Sequence, residues 1–339
     1  MLDINKIHIG DALDLMKQMD DESVDCIITS PPYWQKRDYQ IDGQIGLEKD
    51  FRDYLVKLIA IFTEAKRVLK SPGTMFINIA DSYAGNKPDG ITDAKLDYVF
   101  HGEVSKTLCG IKRKSLMLIP QRLQIALVDD GWILRNEIIW HKPNVMPSSV
   151  QDRFTIDYEP IFFFTKSERY YFEQLKEPFQ AKDEASIKAY LNGDKCRESR
   201  GDITPQSGRR KQDAINNPTY TGFNARYETP KDGMRNKRCV WQIVSSPGYD
   251  DNHFASYPEA LVEPLIQCGC PKEGIVLDPF SGSGTTAAVA KRMNRQYIGF
   301  ELNAEYAIES EKRIRGEAIL YTIDDFLIED DREKRVTGE

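Results

Sequence analysis

No stretch of about 18 apolar residues occurs in the 339 residues, so no transmembrane helix is expected. The opening segment "MLDINKIHIGDALDL" carries acids early and has no long apolar run, which argues against a signal peptide. Histidine is scarce, at four residues, and the six cysteines (Cys26, Cys109, Cys196, Cys239, Cys268, Cys270) are scattered. Only Cys268 and Cys270 lie close together. A lone CxC is a weak metal signature, and no cluster with metal-ligand spacing is visible. The thiols read as reduced, which points to the cytoplasm. No internal repeat is visible. Positive charge is also short: the formal net charge is −7, which argues against nucleic-acid binding by the whole surface. That shortage is uneven. Residues 195–240 hold eleven Lys/Arg against five Asp/Glu, a basic segment inside an acidic protein.

The pattern of the chain is that of an α/β protein. "IHIG", "VDCIIT", "TMFINIA", "ILRNEIIWHK", "EPIFFFTKS", "GIVLDPF" and "QYIGFEL" read as strands, the fourth and fifth as antiparallel neighbours. Leu13, Leu15, Met16 and Met19 have roughly helical spacing. Residues 50–70 predict an amphipathic helix with a stripe of Leu55, Leu58, Ile59, Phe62, Ala65 and Leu69, stopped by "SPG". Further helices are expected in "LMLIPQRLQIALVDDGW", "YPEALVEPLIQCG" and "TTAAVAKRMN". Residues 81–114 read as a long loop, 176–240 as an inserted module, and the charged end as a frayed tail.

Residues 276–303, "VLDPFSGSGTTAAVAKRMNRQYIGFELN", predict a strand ending in Asp278, a bend with Gly282 and Gly284, a helix, and a strand ending in Glu301. Small residues let a backbone approach a ligand, and a helix start offers free N–H groups. An acid at the end of the following strand suits the two hydroxyls of a ribose. Together these point to an adenosine-containing cofactor, although an ordinary tight strand-to-helix turn also uses glycine. An acid before the glycines suits a cationic amino group better than a pyrophosphate, which favours S-adenosylmethionine. Few residues follow Gly284, so the N-terminal part must complete the sheet. Asp11, in "IGDALD", is then positioned to reach the adenine side of the same crevice.

In "CIITSPPYW" (26–34) a strand runs into two prolines and two aromatics that are expected to be exposed. Pro31 and Pro32 have no N–H and fixed φ, so their turn presents carbonyl oxygens rigidly; Ser30 Oγ adds an acceptor. Such a corner grips an exocyclic amino group on a nucleobase and directs its lone pair at a methyl donor. Tyr33 is placed to stack on the base, which must be flipped out of a duplex. A rigid loop with a core tyrosine is the plainer alternative.

At these residues the sequence resembles the amino-group DNA methyltransferases, in their permuted β-class order. "TSPPYW" looks like the family's catalytic motif, "DPFSGSGTT" its cofactor motif, "GFELN" its ribose-binding segment and "HIGDALD" the short motif before catalysis. Residues 134–167 resemble its middle block and "HFASYPEALVEPLI" the segment before the cofactor motif. The resemblance implies a doubly wound, mostly parallel, seven-stranded sheet of the Rossmann-like methyltransferase fold, interrupted by a target-recognition region. It implies catalysis by Ser30, Pro31, Pro32 and Tyr33. Asp11, Asp278, Phe280, Gly282, Gly284, Thr285 and Glu301 would bind S-adenosylmethionine. The expected boundaries are 1–175 for the catalytic half, 176–240 for target recognition, 241–325 for the cofactor half and 326–339 for the tail. Arg209, Arg210, Lys211, Arg235, Lys237 and Arg238 are the candidate contacts to double-stranded DNA. "GIKRKS" (110–115) is a second phosphate contact or a plain charged loop; His141, Lys142, Asn144 and His253 are open between function and structure.

Ser before Pro-Pro-Tyr tends in this family to accompany N4-cytosine transfer, with N6-adenine as the alternative. Ring-carbon methylation needs a cysteine nucleophile, and the turn has none. An RNA or protein-amide methyltransferase and a non-catalytic DNA-binding module are the rival classes. A cognate restriction endonuclease and a homodimer are expected only by analogy with the family.

Overall fold

The computed structural model describes residues 2–84, 107–178, 234–245 and 257–316. Arg209, Arg210, Lys211, Cys196, His253 and the 326–339 tail lie outside the described residues.

The chain opens with β1 (Lys6–Ile9) and a short helix, α1 (Ala12–Met16). Asp11 caps α1: its Oδ1 accepts the N–H of Leu13 at 2.9 Å and of Asp14 at 3.1 Å. The apolar run becomes β2 (Val24–Thr29), in which Cys26 and Ile27 are fully buried. The predicted amphipathic helix is α2 (Phe51–Val68). It ends two residues before "SPG", because Leu69 is already extended (φ −71, ψ 131) and begins β3 (Leu69–Asn78). Ser71-Pro72-Gly73 therefore lies inside a strand, not at a helix stop. The pairing skips from Val24 opposite Leu69 to Cys26 opposite Thr74, so the donor-less Pro72 sits in a bulge.

A two-stranded ladder, β4 (Thr107–Leu108) with β5 (Ile111–Lys112), precedes α3 (Ile119–Asp129), β6 (Ile133–His141) and β7 (Tyr158–Thr165). Asp81 caps α3 from a distance, accepting the N–H of Leu118 at 2.9 Å and of Ile119 at 3.0 Å. Beyond the short β8 (Lys176–Pro178), β9 (Met234–Asn236) and β10 (Val240–Gln242) come α4 (Glu259–Gly269), β11 (Ile275–Asp278), α5 (Thr285–Arg292), β12 (Gln296–Glu301) and α6 (Ala304–Arg315). Among the described residues, no helix is long and apolar enough to cross a membrane.

The main sheet has the order β1-β12-β11-β2-β3-β7-β6-β10. All seven strands expected from the sequence are in it, and β10 adds an eighth at the edge. Pairing is parallel from β1 through β3, antiparallel on both sides of β7, and parallel again from β6 to β10. The central strands β2, β3, β7, β11 and β12 are largely buried on both faces, so they read as continuous apolar runs whose residues alternate between two cores, whereas β1, β6 and β10 carry exposed residues. Ile27, Met75, Ile77, Phe162 and Phe164 share one core with Leu58 and Phe62 of α2 and Leu123 of α3. Ile28, Phe76 and Ile161 meet Leu261 and Leu265 of α4 on the other.

From β2 the chain runs outward to β3, and from β11 it runs outward to β12. The gap beyond the carboxyl ends of β2 and β11 is thus the switch point where open α/β sheets bind ligands.

Two compact units emerge, Met1–Glu173 with Cys239–Glu339, and Gln174–Arg238. In the smaller unit β8 and β9 pair antiparallel.

Candidate functional site

A crevice opens at the switch point. It is lined by Ser30 and Pro32 from the turn after β2, by Gly10 and Asp11 after β1, and by Pro279–Ser283 and Thr285 after β11. Glu301, Asn303 and Tyr306 line it from the end of β12 and the start of α6. The acceptor corner and the glycine bend, 252 residues apart in Ser30 and Gly282, thus share one cavity.

The corner is fixed from several directions. Pro32's carbonyl accepts the Tyr54 hydroxyl of α2 at 2.8 Å, which holds the turn to the helix. Ser30 Oγ donates to Tyr33 Oη at 3.3 Å. Tyr33 Oη lies 2.9 Å from Glu159 Oε2 and 3.1 Å from Asn78 Oδ1. Asn78 Nδ2 donates to the Pro160 carbonyl at 3.2 Å, and Lys142 pairs with the other oxygen of Glu159. Tyr33 is half-buried. Burial first, then the Glu159 charge, holds its phenol well above the usual tyrosine range. Trp34 departs from the expectation of exposure: it is 2% exposed, packs edge-on to Phe51, and donates Nε1 to the Glu48 carbonyl at 2.9 Å. An indole whose N–H finds a carbonyl is an ordinary core residue.

In the bend, Gly282 (φ 50) and Gly284 (φ 75) both take backbone shapes that favour glycine. Gly282 lines the crevice, and its N–H donates to Glu301 Oε2 at 2.8 Å. Gly284 instead caps α5 against α6, where an added Cβ would stand 2.7 Å from Ser310 Cβ. Glu301 Oε1 accepts the Asn303 N–H at 2.8 Å, and burial raises its carboxyl above the usual range.

Asp278 needs revising as a direct cofactor contact. It is 2% exposed and is not among the residues lining the crevice. Its Oδ1 accepts from Thr29 Oγ1 (2.7 Å) and the Phe280 N–H (3.1 Å). Its Oδ2 accepts from Thr286 Oγ1 (2.7 Å) and Tyr257 Oη (3.0 Å). Four protein donors fill its acceptor sites, so Asp278 ties β2, the bend and α5 together from below. Burial raises its carboxyl, against the lowering effect of those bonds.

The remaining candidates are distributed differently. His141 Nε2 is 3.4 Å from Asp157, and Asn144 exchanges bonds with the backbone of Ser245. Lys114 of "GIKRKS" pairs with Asp152. In the smaller unit Arg235 and Arg238 both bond Glu177, at 2.8 and 2.9 Å, and Lys237 lies beside them in sequence. Cys26, Cys268 and Cys270 are buried, and burial pushes the last two thiols up to about 12. Among the described residues no group of His, Cys, Asp or Glu could hold a metal.

Sequence reasoning missed part of the lining. Arg37, Tyr39, Ile41, Gln44 and Ile45 come from the connection between the proline turn and α2. Its length was the available signal, since long structureless connections in compact domains are usually functional. Tyr257 and Asn303 lay inside the quoted segments "HFASYPEALVEPLI" and "GFELN" without being singled out, and Tyr306 had no such signal.

A doubly wound sheet thus sets an acceptor corner opposite a glycine bend across its switch point. The family model described as DNA methylase matches residues 24–312. Type II methyltransferase M.Cfr9I of Citrobacter freundii is 38% identical over 309 residues, covering 91% of this chain and 87% of the relative. Type II methyltransferase M.SmaI of Serratia marcescens is 37% identical over 312 residues, 91% and 90% of the two chains. Among solved structures, the PvuII DNA methyltransferase (cytosine-N4-specific) superposes with a TM-score of 0.58 at 18% identity, over 98% of this chain and 93% of that one. A DNA modification methylase of Thermus thermophilus, complexed with S-adenosyl-L-methionine, gives 0.54 at 21% identity, over 93% and 95%. The chain belongs to the DNA methylase family, the N4/N6 amino-group DNA methyltransferases.

Proposed function

We propose that the protein transfers the methyl group of S-adenosylmethionine to N4 of a cytosine flipped out of duplex DNA. The observation that carries this reading is the shared crevice, in which Ser30 and Pro32 face Gly282 and Glu301. The residues fit the cofactor. Ser281 lines the crevice, and its buried Oγ has no hydrogen-bond partner. A Cβ at Gly282 would meet nothing within 4 Å, so the backbone there is open to close approach. Glu301 accepts the Gly282 and Asn303 N–H groups on its two oxygens, and a carboxylate has lone pairs beyond these for a ribose hydroxyl. When bound, S-adenosylmethionine supplies an electrophilic methyl on a sulfonium.

Ser30 Oγ takes one amino hydrogen; the second is assigned to the Pro31 carbonyl because Pro32's carbonyl already serves Tyr54, although Pro31 itself is buried and is not among the residues lining the crevice. Those two bonds turn the nitrogen lone pair out of conjugation with the ring. The half-buried Tyr33 ring offers the stacking face. Asp11, Phe280 and Thr285 complete the cofactor walls. Arg209, Arg210, Lys211, Arg235, Lys237 and Arg238 are the proposed DNA contacts.

The N4-cytosine choice rests on Ser30 in the motif and on the cytosine-N4 specificity of the PvuII enzyme. The curated relatives are named as Type II methyltransferases, so a nuclease of the same sequence specificity is the proposed partner and the cytoplasm the proposed compartment. The test is to incubate the protein with duplex DNA and labelled cofactor, then hydrolyse the DNA to nucleosides. N4-methylcytosine is expected. N6-methyladenine alone would overturn the choice of base, and label found only in RNA or protein would overturn DNA as substrate.

A further inference from the structure

A serine hydroxyl can donate or accept, and an acceptor corner works only if it accepts. Here the proton order is forced from the far end. Asn78 Nδ2 is committed to the Pro160 carbonyl, so Asn78 turns its oxygen toward Tyr33. The Glu159 carboxylate, paired with Lys142, also accepts only. Both neighbours of Tyr33 Oη on that side lack protons to give, so the tyrosine's single proton points to them. Tyr33 Oη can then receive only, and Ser30 must donate to it. Burial and the Glu159 charge keep the phenol protonated at neutral pH.

We infer that Lys142, Glu159 and Tyr33 form a polarity relay that commits the Ser30 proton inward and leaves Ser30 Oγ with lone pairs alone facing the target base. The inference deepens the proposed function and rests on it. It makes Glu159 a positioning residue acting through Tyr33, and it gives the site a rule of choice. An amino group matches the corner, whereas the keto oxygen of uracil or thymine at the same place would meet lone pair with lone pair.

The experiment compares the wild type with Glu159→Gln, Tyr33→Phe and the double variant in single-turnover and steady-state methyl transfer to an oligonucleotide duplex. A glutamine can donate to Tyr33 and reverse the order, and Phe deletes the link while keeping the ring. Each single variant is expected to lower the methyl-transfer rate about 10- to 100-fold, the range of one charge-assisted hydrogen bond. The KM for DNA and the Kd for S-adenosylmethionine stay near wild type. The double variant loses no more than Tyr33→Phe alone, because both changes cut one chain. Tyr33→Phe keeps the Lys142–Glu159 pair intact, so its result stands even where Glu159→Gln folds poorly. A full rate in Tyr33→Phe, multiplied losses in the double variant, or a loss confined to KM would each overturn the relay. Failure of the proposed function reads differently: the wild type itself would then yield no methylated amino base. N6-methyladenine as product would leave the relay standing and remove only the choice of cytosine.

Discussion

A methyl group added at Gly282 would meet no atom within 4 Å, whereas one added at Gly284 would press against Ser310. The two glycines therefore fail differently. Gly282→Ala is expected to weaken cofactor binding with modest loss of stability, of the order of 1 kcal/mol for the left-handed backbone. Gly284→Ala adds overpacking of about 1–3 kcal/mol to a similar strain, so its melting temperature falls well below that of Gly282→Ala. Calorimetry of both variants, with cofactor titration, separates the two roles. Asp278 gives a pH test. Its folded carboxyl lies above the ordinary value of 3.8, so the stability it contributes is complete below that value and is lost as pH rises through the raised one. Asp278→Asn does not titrate and should therefore gain on the wild type in melting temperature as pH rises from about 4 toward neutrality. A constant gap across that range would contradict the direction. At this scale the proline turn was legible as one contiguous motif, of which Ser30 and Pro32 line the crevice. Asn78 and Glu159 were not, since they lie 45 and 126 residues from Tyr33 and meet it only through β3 and β7. Asp278 was legible as an acid at a strand end, but the four donors that surround it were not.

Among elements, α2 was legible nearly to its ends because its stripe is wide: Leu55, Leu58, Phe62 and Ala65 are buried, while Ile59 is half-buried and Leu69 belongs to β3. Leu58 is completely buried, and Leu58→Ala should cost about 2–5 kcal/mol in denaturant unfolding, with the crevice chemistry kept in the folded fraction. The helix α6 gave no comparable signal. Its buried face is Ala307, Ser310 and Ile314, a narrow line with one large apolar residue. Its termini were nonetheless marked: Asn303 accepts from the N–H of Glu305 and Tyr306, and Gly316 closes the helix at φ 75. The edge strand β10 escaped because three residues cannot establish an alternation. The seven longer strands were legible as largely apolar runs; burial on both faces explains this for β2, β3, β7, β11 and β12, while β1 and β6 are partly exposed.

For the molecule as a whole, a basic segment within an acidic chain predicts DNA binding that depends steeply on salt. Replacing Arg209, Arg210 and Lys211 together by alanine should flatten the plot of log affinity against log salt by about 0.9 for each phosphate no longer neutralised. An unchanged slope would place the DNA elsewhere. The order of the strands carries a separate consequence. Thr29 at the end of β2 is bonded to Asp278 at the end of β11, 249 residues later. During synthesis at about 5–20 residues per second, the emerging N-terminal half waits on the order of ten seconds to a minute for that partner. Throughout the wait, the apolar edge of Cys26 and Ile27 stands open on the nascent polypeptide. Such an edge invites pairing with other chains, so the N-terminal half stays open to mispairing until β11 is made.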